Sequence, residues 1–182
     1  LKVCNSSYYA SGDVVTSVEE SVMRLGYQEI YRIVVALCFG GVLDSPLHGF
    51  GIEETEMWRH SLTTALAAEA LAVRSRPFSA NKNLAYTCGL LHDIGKVVLN
   101  KALNPETRDQ IRVLIAEKKM PRDEAERTVL GADHAQVGAC LLEKWKLPRA
   151  IVEAVADHHR PVVKPAVTLS AIVHLADAVA HQ

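Results

Sequence analysis

The segment Leu90-Leu91-His92-Asp93-Ile94-Gly95-Lys96 sets a histidine and an aspartate side by side at the end of an apolar run. A vicinal His-Asp pair can supply two metal contacts from one short stretch of backbone: an imidazole nitrogen, and a carboxylate able to bridge two cations. Lys96 follows Asp93 by three positions, where its ammonium could neutralise phosphate charge. The pair is not specific by itself, so a metal site here requires ligands from elsewhere in the chain.

Signals for the start and end of helices occur along almost the whole chain, and no alternating strand pattern of useful length appears. Thr16 followed by Glu19 is a capping-box pattern that opens a first helix, and Gly26 is a typical closing residue. The apolar helix predicted at residues 27–43 is expected to be largely buried. Further helices are predicted at residues 53–74, 83–92, 105–119, 121–130, 133–145, 148–159 and 166–180. The predicted fold class is therefore all-α.

The clearest loop lies between residues 44 and 51, where Pro46 and two glycines interrupt the helical pattern. It is a candidate boundary between an N-terminal helical lobe, residues 1–45, and a larger helical bundle, residues 46–182. A chain of 182 residues is long enough for one domain with a core or for two small lobes. Because the chain begins at Leu1 and not at a methionine, we expect it to be part of a longer polypeptide.

The composition argues against several classes of protein. Apolar residues make up 49% of the chain, charged residues make up 23%, and the formal net charge is -1. These values are ordinary for a globular protein and predict no electrostatic binding of nucleic acid or of an anionic membrane. The longest apolar run, residues 33–43, is too short to span a bilayer, and no signal peptide is visible. Four cysteines without a CxxC pair predict a cytoplasmic protein with reduced core thiols: Cys4, Cys38, Cys88 and Cys140.

Further histidines and aspartates stand on both sides of the His-Asp pair. The residues predicted to share a site with it are His60, His134, the doublet His158-His159, and Asp177. With the pair itself, five separate predicted helices could each direct a nitrogen or an oxygen towards a common centre, as in metal sites inside helical bundles. Nitrogen and oxygen donors without cysteine favour a divalent metal, with Fe or Mn expected first and Zn, Co or Ni as alternatives. One ion or two would fit, and Asp93 would bridge a pair.

A structural role is the alternative for each of these residues taken singly. An isolated histidine is more often a surface or capping residue than a ligand. Glu56 lies in an acidic first turn, which stabilises a helix without any ligand role. Lys96 could be no more than a charge at the end of a helix. Three histidines are predicted to be solvated or structural: His48, His174 and His181. Of these, His174 shares a helix face with Asp177 and could support it.

The motifs together resemble the HD superfamily of metal-dependent phosphohydrolases, in which a His, a His-Asp pair and a late Asp follow one another as His60, His92-Asp93 and Asp177 do here. More narrowly, the chain is similar to HDOD domains, the HD-related output domains of bacterial signalling proteins. The matching stretches are residues 3–6, 8–9, 17–20, 24–26, 58–61, 89–96, 126–131, 133–134, 137–138, 145, 147–148, 157–159 and 176–177. The resemblance implies a multi-helix, HD-domain-like bundle with a small N-terminal helical lobe, part of which precedes Leu1.

The same resemblance implies two sets of metal ligands. The first set would be His60, His92, Asp93 and Asp177. The second set would be Asp93, His134, His158 and His159. In an active enzyme Asp93 and Lys96 would be the catalytic candidates. Glu56 matches a position that adds a further carboxylate in some of the related HD-GYP phosphodiesterases.

The resemblance leaves three functions open. The chain could be a metal-containing signalling output domain, whose partners are other signalling proteins or domains. It could instead be a metal-dependent phosphohydrolase or phosphodiesterase acting on a nucleotide or a cyclic dinucleotide. Residues 160–163 argue against cyclic di-GMP as the substrate, because they carry no Gly-Tyr-Pro signature. The third function is a metal-free protein-interaction module.

Overall fold

The computed structural model describes residues 1–7, 9, 14–44, 47, 50–53, 55–75, 82–161 and 168–181. Within them the chain forms α1 (Val18–Leu25), α2 (Tyr27–Leu43), α3 (Glu56–Arg74), α4 (Lys82–Leu91), α5 (Ile94–Ala102), α6 (Pro105–Lys118), α7 (Arg122–Leu130), α8 (His134–Lys144), α9 (Arg149–Ala156) and α10 (Leu169–Ala180). These same residues contain no strand, only an isolated bridge between Leu47 and Ile52. The predicted all-α fold class is confirmed.

The first helix begins one residue later than its capping pattern indicates. Ser17 is the N-cap, and its hydroxyl accepts a hydrogen bond from the backbone N–H of Glu20 at 3.0 Å. The Glu20 carboxylate accepts one from the N–H of Thr16, also at 3.0 Å. Gly26 ends the helix at a positive φ of 78°, as predicted. The helix is therefore capped by Ser17 and not by Thr16, and the capping box is incomplete, because Glu20 accepts from the N–H of Thr16 and not from that of the N-cap.

The His-Asp pair interrupts the helical run. The helix predicted at residues 83–92 ends at Leu91, the chain turns at His92 and Asp93, and α5 begins at Ile94. This second helix was not predicted. Lys96 consequently lies in the first turn of α5, which rules out the alternative that it is a charge at a helix C-terminus.

Two burial predictions are wrong. Along α2 only Leu43 is buried, whereas Val34 and Leu37 are 51% and 67% exposed. Of the cysteines, Cys4 and Cys88 lie in the core as predicted, but two others are exposed: Cys38 and Cys140. None of the described helices combines the length and the apolar character that a bilayer crossing requires.

The described contacts divide the chain into two compact units, Leu1–Phe39 and Gly40–Gln182. The division into lobes at residue 45 stays a prediction. In the first unit, the Asn5 side chain both donates to and accepts from the backbone of Val15, at 2.9 and 2.8 Å. Every candidate ligand lies in the second unit.

Small residues in the second unit allow the helices that carry the candidate ligands to approach closely. A cluster of buried side chains joins α3, α4 and α10: Ala68, Ala72, Ala85, Ile172 and Ala176. Gly89 lies against α3, where an added Cβ would be 2.8 Å from the Cα of Ala65. Gly95 on α5 faces α8, where an added Cβ would overlap the carbonyl of His134 and lie 2.7 Å from the N of Gly138. These glycines set the spacing of the helices around the site.

Candidate metal centre

Five elements bring the predicted ligands together. His60 lies on α3, the His92-Asp93 pair lies in the turn between α4 and α5, and His134 is the first residue of α8. The doublet His158-His159 follows the end of α9, and Asp177 lies on α10. The helix predicted to reach the doublet ends at Ala156, so both histidines lie in a turn.

Asp93 lies at the middle of this arrangement, and its two carboxylate oxygens face different groups. Oδ2 is 3.3 Å from Nε2 of His92 and 3.6 Å from Nε2 of His60. Oδ1 is 3.2 Å from Nε2 of His134 and 4.0 Å from Nε2 of His158. Only 1% of Asp93 is exposed. The carboxylate therefore stands between two sets of imidazole nitrogens, which is the geometry that a bridging ligand requires.

The first set contains His60, His92, Asp93 and Asp177. Oδ1 of Asp177 is 3.0 Å from Nε2 of His60 and 3.4 Å from Nε2 of His92. The two imidazole nitrogens are 3.2 Å apart. All four predicted residues of this set are thus brought together.

The second set contains Asp93, His134, His158 and His159. One ligand atom from each of these four residues lies within 4.8 Å of the others. Nε2 of His159 is 2.7 Å from Nε2 of His134. Apart from the partly buried His159, the set is closed off from solvent.

Hydrogen bonds at the far side of the imidazoles fix their tautomers. Nδ1 of His92 is 2.8 Å from the Gly89 carbonyl, and Nδ1 of His158 is 2.7 Å from the Val155 carbonyl. Because a carbonyl oxygen can only accept, each Nδ1 must carry the proton and donate it. In the neutral ring Nε2 then keeps its lone pair and directs it at Asp93.

A buried glutamate plays the same part for His134. The Glu126 Oε2 accepts hydrogen bonds from the His134 backbone N–H at 2.8 Å and from Nδ1 at 2.6 Å. Glu126 is 0% exposed and lies on α7. Its role was not predicted, because the contact joins residues of two helices and leaves no local pattern in the sequence.

The two carboxylates at the site stay ionised. Burial raises the pKa of the Asp93 carboxyl, but the charges of His92 and Lys96 outweigh burial and hold that pKa well below its usual range. Burial also raises the pKa of Asp177, but the neighbouring imidazoles of His60 and His92 outweigh burial and lower the pKa. Two carboxylates therefore stay ionised inside a largely buried pocket, and ionised carboxylate oxygens are ligands that a divalent metal accepts.

The histidines respond to this environment in two ways. Burial lowers the pKa of His92, but the charges of Asp93 and Asp177 outweigh burial and raise it to about 10. Burial and the charge of His134 lower the pKa of His159 to about 4. Burial and the charge of His92 hold the pKa of His158 well below its usual range. The doublet is therefore neutral at pH 7, as metal ligation requires.

Several polar atoms at the site lack a hydrogen bond, which is the observation that a divalent metal would explain. Within the described part of the chain, no hydrogen-bond partner reaches Nε2 of His158, Oδ1 of Asp93 or Oδ1 of Asp177, although all three atoms are buried. A buried acceptor without a donor is costly, and a cation bound by these atoms would remove that cost. The nitrogen and oxygen donors also suit a divalent transition metal. The residues present therefore fit the group that the sequence led us to expect.

The remaining histidines and Glu56 differ in their placement. His181 was predicted to be solvated or structural; it is 61% exposed at its side chain, yet its Nδ1 is 3.7 Å from Oδ1 of Asp177. It forms a third group of possible ligands with His60 and Asp177. The i,i+4 spacing of Asp177 and His181 was the available signal. Nδ1 of His174 donates to the His158 carbonyl at 2.8 Å, so it supports the doublet.

Glu56 joins none of the described ligand groups. Glu56 is exposed and accepts a hydrogen bond from the Glu53 N–H at 2.8 Å, in agreement with a role at the start of α3. His48 lies outside the described residues.

A cavity of about 280 Å³ opens beside Asp93. Its lining includes His60, Lys96 and Arg122. The Lys96 ammonium donates to Oδ2 of Asp93 at 2.5 Å. Two cationic side chains thus stand at the edge of the carboxylate and histidine cluster, where an anionic group such as a phosphate could bind.

Comparisons with known proteins agree with the helical fold. A family model described as HDOD domain matches residues 1–161. An HDOD domain protein with unknown function from Geobacter sulfurreducens is 27% identical, with a TM-score of 0.72 over 97% of this chain and 58% of that chain. The "Putative phosphohydrolase" from Shewanella amazonensis SB2B shares the fold, with a TM-score of 0.78 and 24% identity over 92% of this chain and 60% of that chain.

Among curated proteins, an uncharacterized protein of Treponema pallidum (strain Nichols) is 27% identical over 159 residues. The alignment covers 87% of this chain but only 30% of that protein. The chain thus spans less than a third of this relative. Because the family model covers most of the sequence and the helical bundle agrees with it, the chain belongs to the HDOD domain family.

Proposed function

We propose that this chain is a signalling output domain whose helical bundle holds a divalent metal centre of HD type around Asp93. The ligands of this proposed centre are His60, His92, Asp93, His134, His158, His159 and Asp177. Fe or Mn is the metal that we expect first, with Zn, Co and Ni as alternatives. The proposed partners are other signalling proteins or domains in the cytoplasm, and neither nucleic acid nor a membrane.

The observation that carries this proposal is the two-sided environment of Asp93. One oxygen faces His60 and His92, and the other faces His134 and His158, at 3.2 to 4.0 Å. A carboxylate that served only as a structural partner would be satisfied by hydrogen bonds, but Oδ1 has none within the described residues. A bridging role for two ions explains both facts.

Phosphoester hydrolysis is the second candidate function, and the cavity beside Asp93 favours it. A bound pair of divalent cations would supply hydroxide near neutral pH and polarise a phosphoryl oxygen. The ammonium of Lys96 lines the cavity and would hold a non-bridging phosphoryl oxygen, and Arg122 would hold another. The name of the Shewanella neighbour points in the same direction.

Metal analysis of the protein purified without added ions tests the proposal. We expect one to two transition-metal ions per chain in the wild type and a loss of at least one in Asp93→Asn, which keeps the shape but removes the charge. Asp157→Asn, at an exposed position beside the doublet, is the matched control and should keep the wild-type metal content. If Asp93→Asn retains two ions, the bridging assignment is wrong. Wild-type protein without stoichiometric metal would favour the metal-free interaction module.

Hydrolysis assays then separate the two metal-dependent functions. The metal-loaded protein is incubated with bis(p-nitrophenyl) phosphate and with a panel of nucleotides and cyclic dinucleotides. An enzyme should show turnover that falls about 10²–10³-fold in Lys96→Ala, because a cation that stabilises developing charge is lost. Full metal content without turnover would leave the output domain as the function.

A further inference from the structure

A second cavity lies next to the candidate metal centre, and we infer that it receives the base of a nucleotide whose phosphate lies beside Asp93. It is formed by α6, α7 and the segment at Phe50, and its volume is about 290 Å³. That volume is close to the lower end of small-molecule sites, which span roughly 300–1,000 Å³. The inference rests on the proposed function, because the metal centre would hold the phosphate.

The lining of this base cavity combines an apolar surface with positive charge. Phe50, Leu103 and Ile111 supply apolar surface. The charged residues of the lining are three arginines and one glutamate: Arg108, Arg112, Arg122 and Glu126. An apolar cavity with an excess of cationic side chains suits a flat organic group that is attached to an anion.

Phe50 and Arg122 connect the base cavity to the cavity beside Asp93, because both residues line both cavities. The Arg122 guanidinium lies over the Phe50 ring, 4.9 Å from its centroid. No carboxylate of the described residues forms an ion pair with it, whereas Arg112 pairs with Asp109 at 2.9 Å. Arg122 is therefore available to a ligand that extends from one cavity into the other.

Glu126 supplies the polar group that would recognise a base. Oε2 is occupied by His134, whereas Oε1 is buried and has no hydrogen-bond partner within the described residues. A carboxylate oxygen can only accept, so it needs a donor such as the N–H of a base. Nucleobases also have the flat π-face that stacks on an aromatic or guanidinium group. A sugar phosphate alone provides no such face.

Glu126 also places the base cavity close to the metal centre. Its Oε2 is 2.6 Å from Nδ1 of His134, whose Nε2 is 3.2 Å from Oδ1 of Asp93. A single imidazole ring therefore separates the proposed base contact from the proposed bridging carboxylate. This spacing allows one nucleotide to reach both.

Calorimetric titration of the metal-loaded chain with GMP, AMP, ribose 5-phosphate and inorganic phosphate tests the inference. We expect GMP or AMP to bind at least about tenfold more tightly than ribose 5-phosphate, because only the nucleotides bring a stacking base. Ala116→Trp fills the base cavity from α6 and should abolish this advantage while leaving inorganic phosphate binding unchanged. Val113→Trp, an exposed position of the same helix outside the cavity lining, should keep it.

If Ala116→Trp lowers the melting temperature, Phe50→Ala provides a second variant. It too should bind GMP or AMP no more tightly than ribose 5-phosphate. Equal binding of GMP, AMP and ribose 5-phosphate by the metal-loaded wild type overturns the inference and leaves the proposed metal centre intact. A preference for GMP or AMP that survives in folded Ala116→Trp also overturns it. A chain that prefers GMP to ribose 5-phosphate but holds no metal overturns the proposed centre alone.

Discussion

At the residue scale, the turn between α4 and α5 decides what Asp93 can do. Because α4 ends at Leu91, His92 and Asp93 both leave the helix and reach the interior, where they are 0% and 1% exposed. A carboxylate this deeply buried stays ionised only when cations or hydrogen-bond donors surround it. Lys96 supplies one such cation at 2.5 Å. The neighbouring imidazoles and a metal would supply the rest.

Glu126 is the residue whose substitution tests how the second set of ligands is held. We expect Glu126→Gln to weaken metal binding to this set by about 10–100-fold, because a carboxylate behind a ligating histidine fixes its orientation and raises its basicity. The first set should be affected much less. Competition of the bound ions with a chromogenic chelator would measure both affinities.

Glu124→Gln is the matched control for this experiment. Glu124 lies on the same helix but is exposed, so its substitution should leave both affinities unchanged. If Glu126→Gln binds two ions as tightly as the wild type, the carboxylate does not support His134 in the way we describe.

The protonation of His92 makes metal binding dependent on pH. Burial lowers its pKa, but the charges of Asp93 and Asp177 raise it to about 10, so the metal-free ring is protonated at pH 7. Metal ligation requires the neutral ring, and binding must therefore release this proton. We expect the affinity of the first set to weaken about tenfold for each unit by which the pH falls below 7. Titration in buffers of different ionisation enthalpy would count the protons released.

Two histidine variants separate this effect from a general loss of metal. His92→Gln should release about one proton fewer per chain than the wild type. His159→Gln should release as many protons on metal binding as the wild type does. Burial and the charge of His134 lower the pKa of His159 to about 4, so this ring has no proton to lose at pH 7. Equal proton release by His92→Gln and the wild type would contradict the assignment of His92.

At the scale of secondary-structure elements, Gly95 determines how closely α5 can approach α8. An added Cβ would overlap the carbonyl oxygen of His134 and lie 2.7 Å from the N of Gly138, and neither backbone can move without displacing a candidate ligand. We expect Gly95→Ala to lower the free energy of unfolding by about 3 kcal/mol, the upper part of the usual range for overpacking. Urea denaturation would measure the change.

Gly41→Ala is the control, because no atom of the described neighbours lies within 4 Å of its added Cβ. In the helix α2 this substitution should raise the free energy of unfolding by about 0.5–1 kcal/mol. A Gly95→Ala protein as stable as the wild type would mean that α5 and α8 can separate at little cost.

The helices could be predicted from the sequence mainly where a local signal exists. Asp133 caps α8 as expected, because a capping box needs only residues three positions apart. In contrast, α5 was missed, because the turn at His92 and Asp93 contains neither proline nor glycine. The nearby Gly95 does not mark the turn, since it lies inside α5. The burial of α2 was also mispredicted, since an apolar sequence does not show which side chains find a partner.

At the scale of the whole molecule, the candidate site is the place where five elements meet. The candidate ligands could be chosen from the sequence by residue type, because five histidines and two aspartates spread over separate predicted helices suit a metal site shared between helices. Their distances could not, since they depend on how α3, α8 and α10 pack. Glu126 escaped prediction for the same reason: its contact with His134 is made across two helices.

Metal removal should therefore destabilise the fold as a whole. Ions bound at the proposed centre would hold together helices that are far apart in the sequence, and they would bind the folded chain much more tightly than the unfolded one. At a free metal concentration 100 times the Kd, this linkage stabilises the folded state by about 2.7 kcal/mol. For a chain of this size we expect a strong chelator to lower the melting temperature by about 5–10 °C.

Calorimetry with and without chelator would measure the shift in melting temperature, and Asp93→Asn should show little or no shift. If the wild type melts at the same temperature in both conditions, the folded chain holds no metal that contributes to its stability, and the histidines and carboxylates around Asp93 must be explained by hydrogen bonding alone.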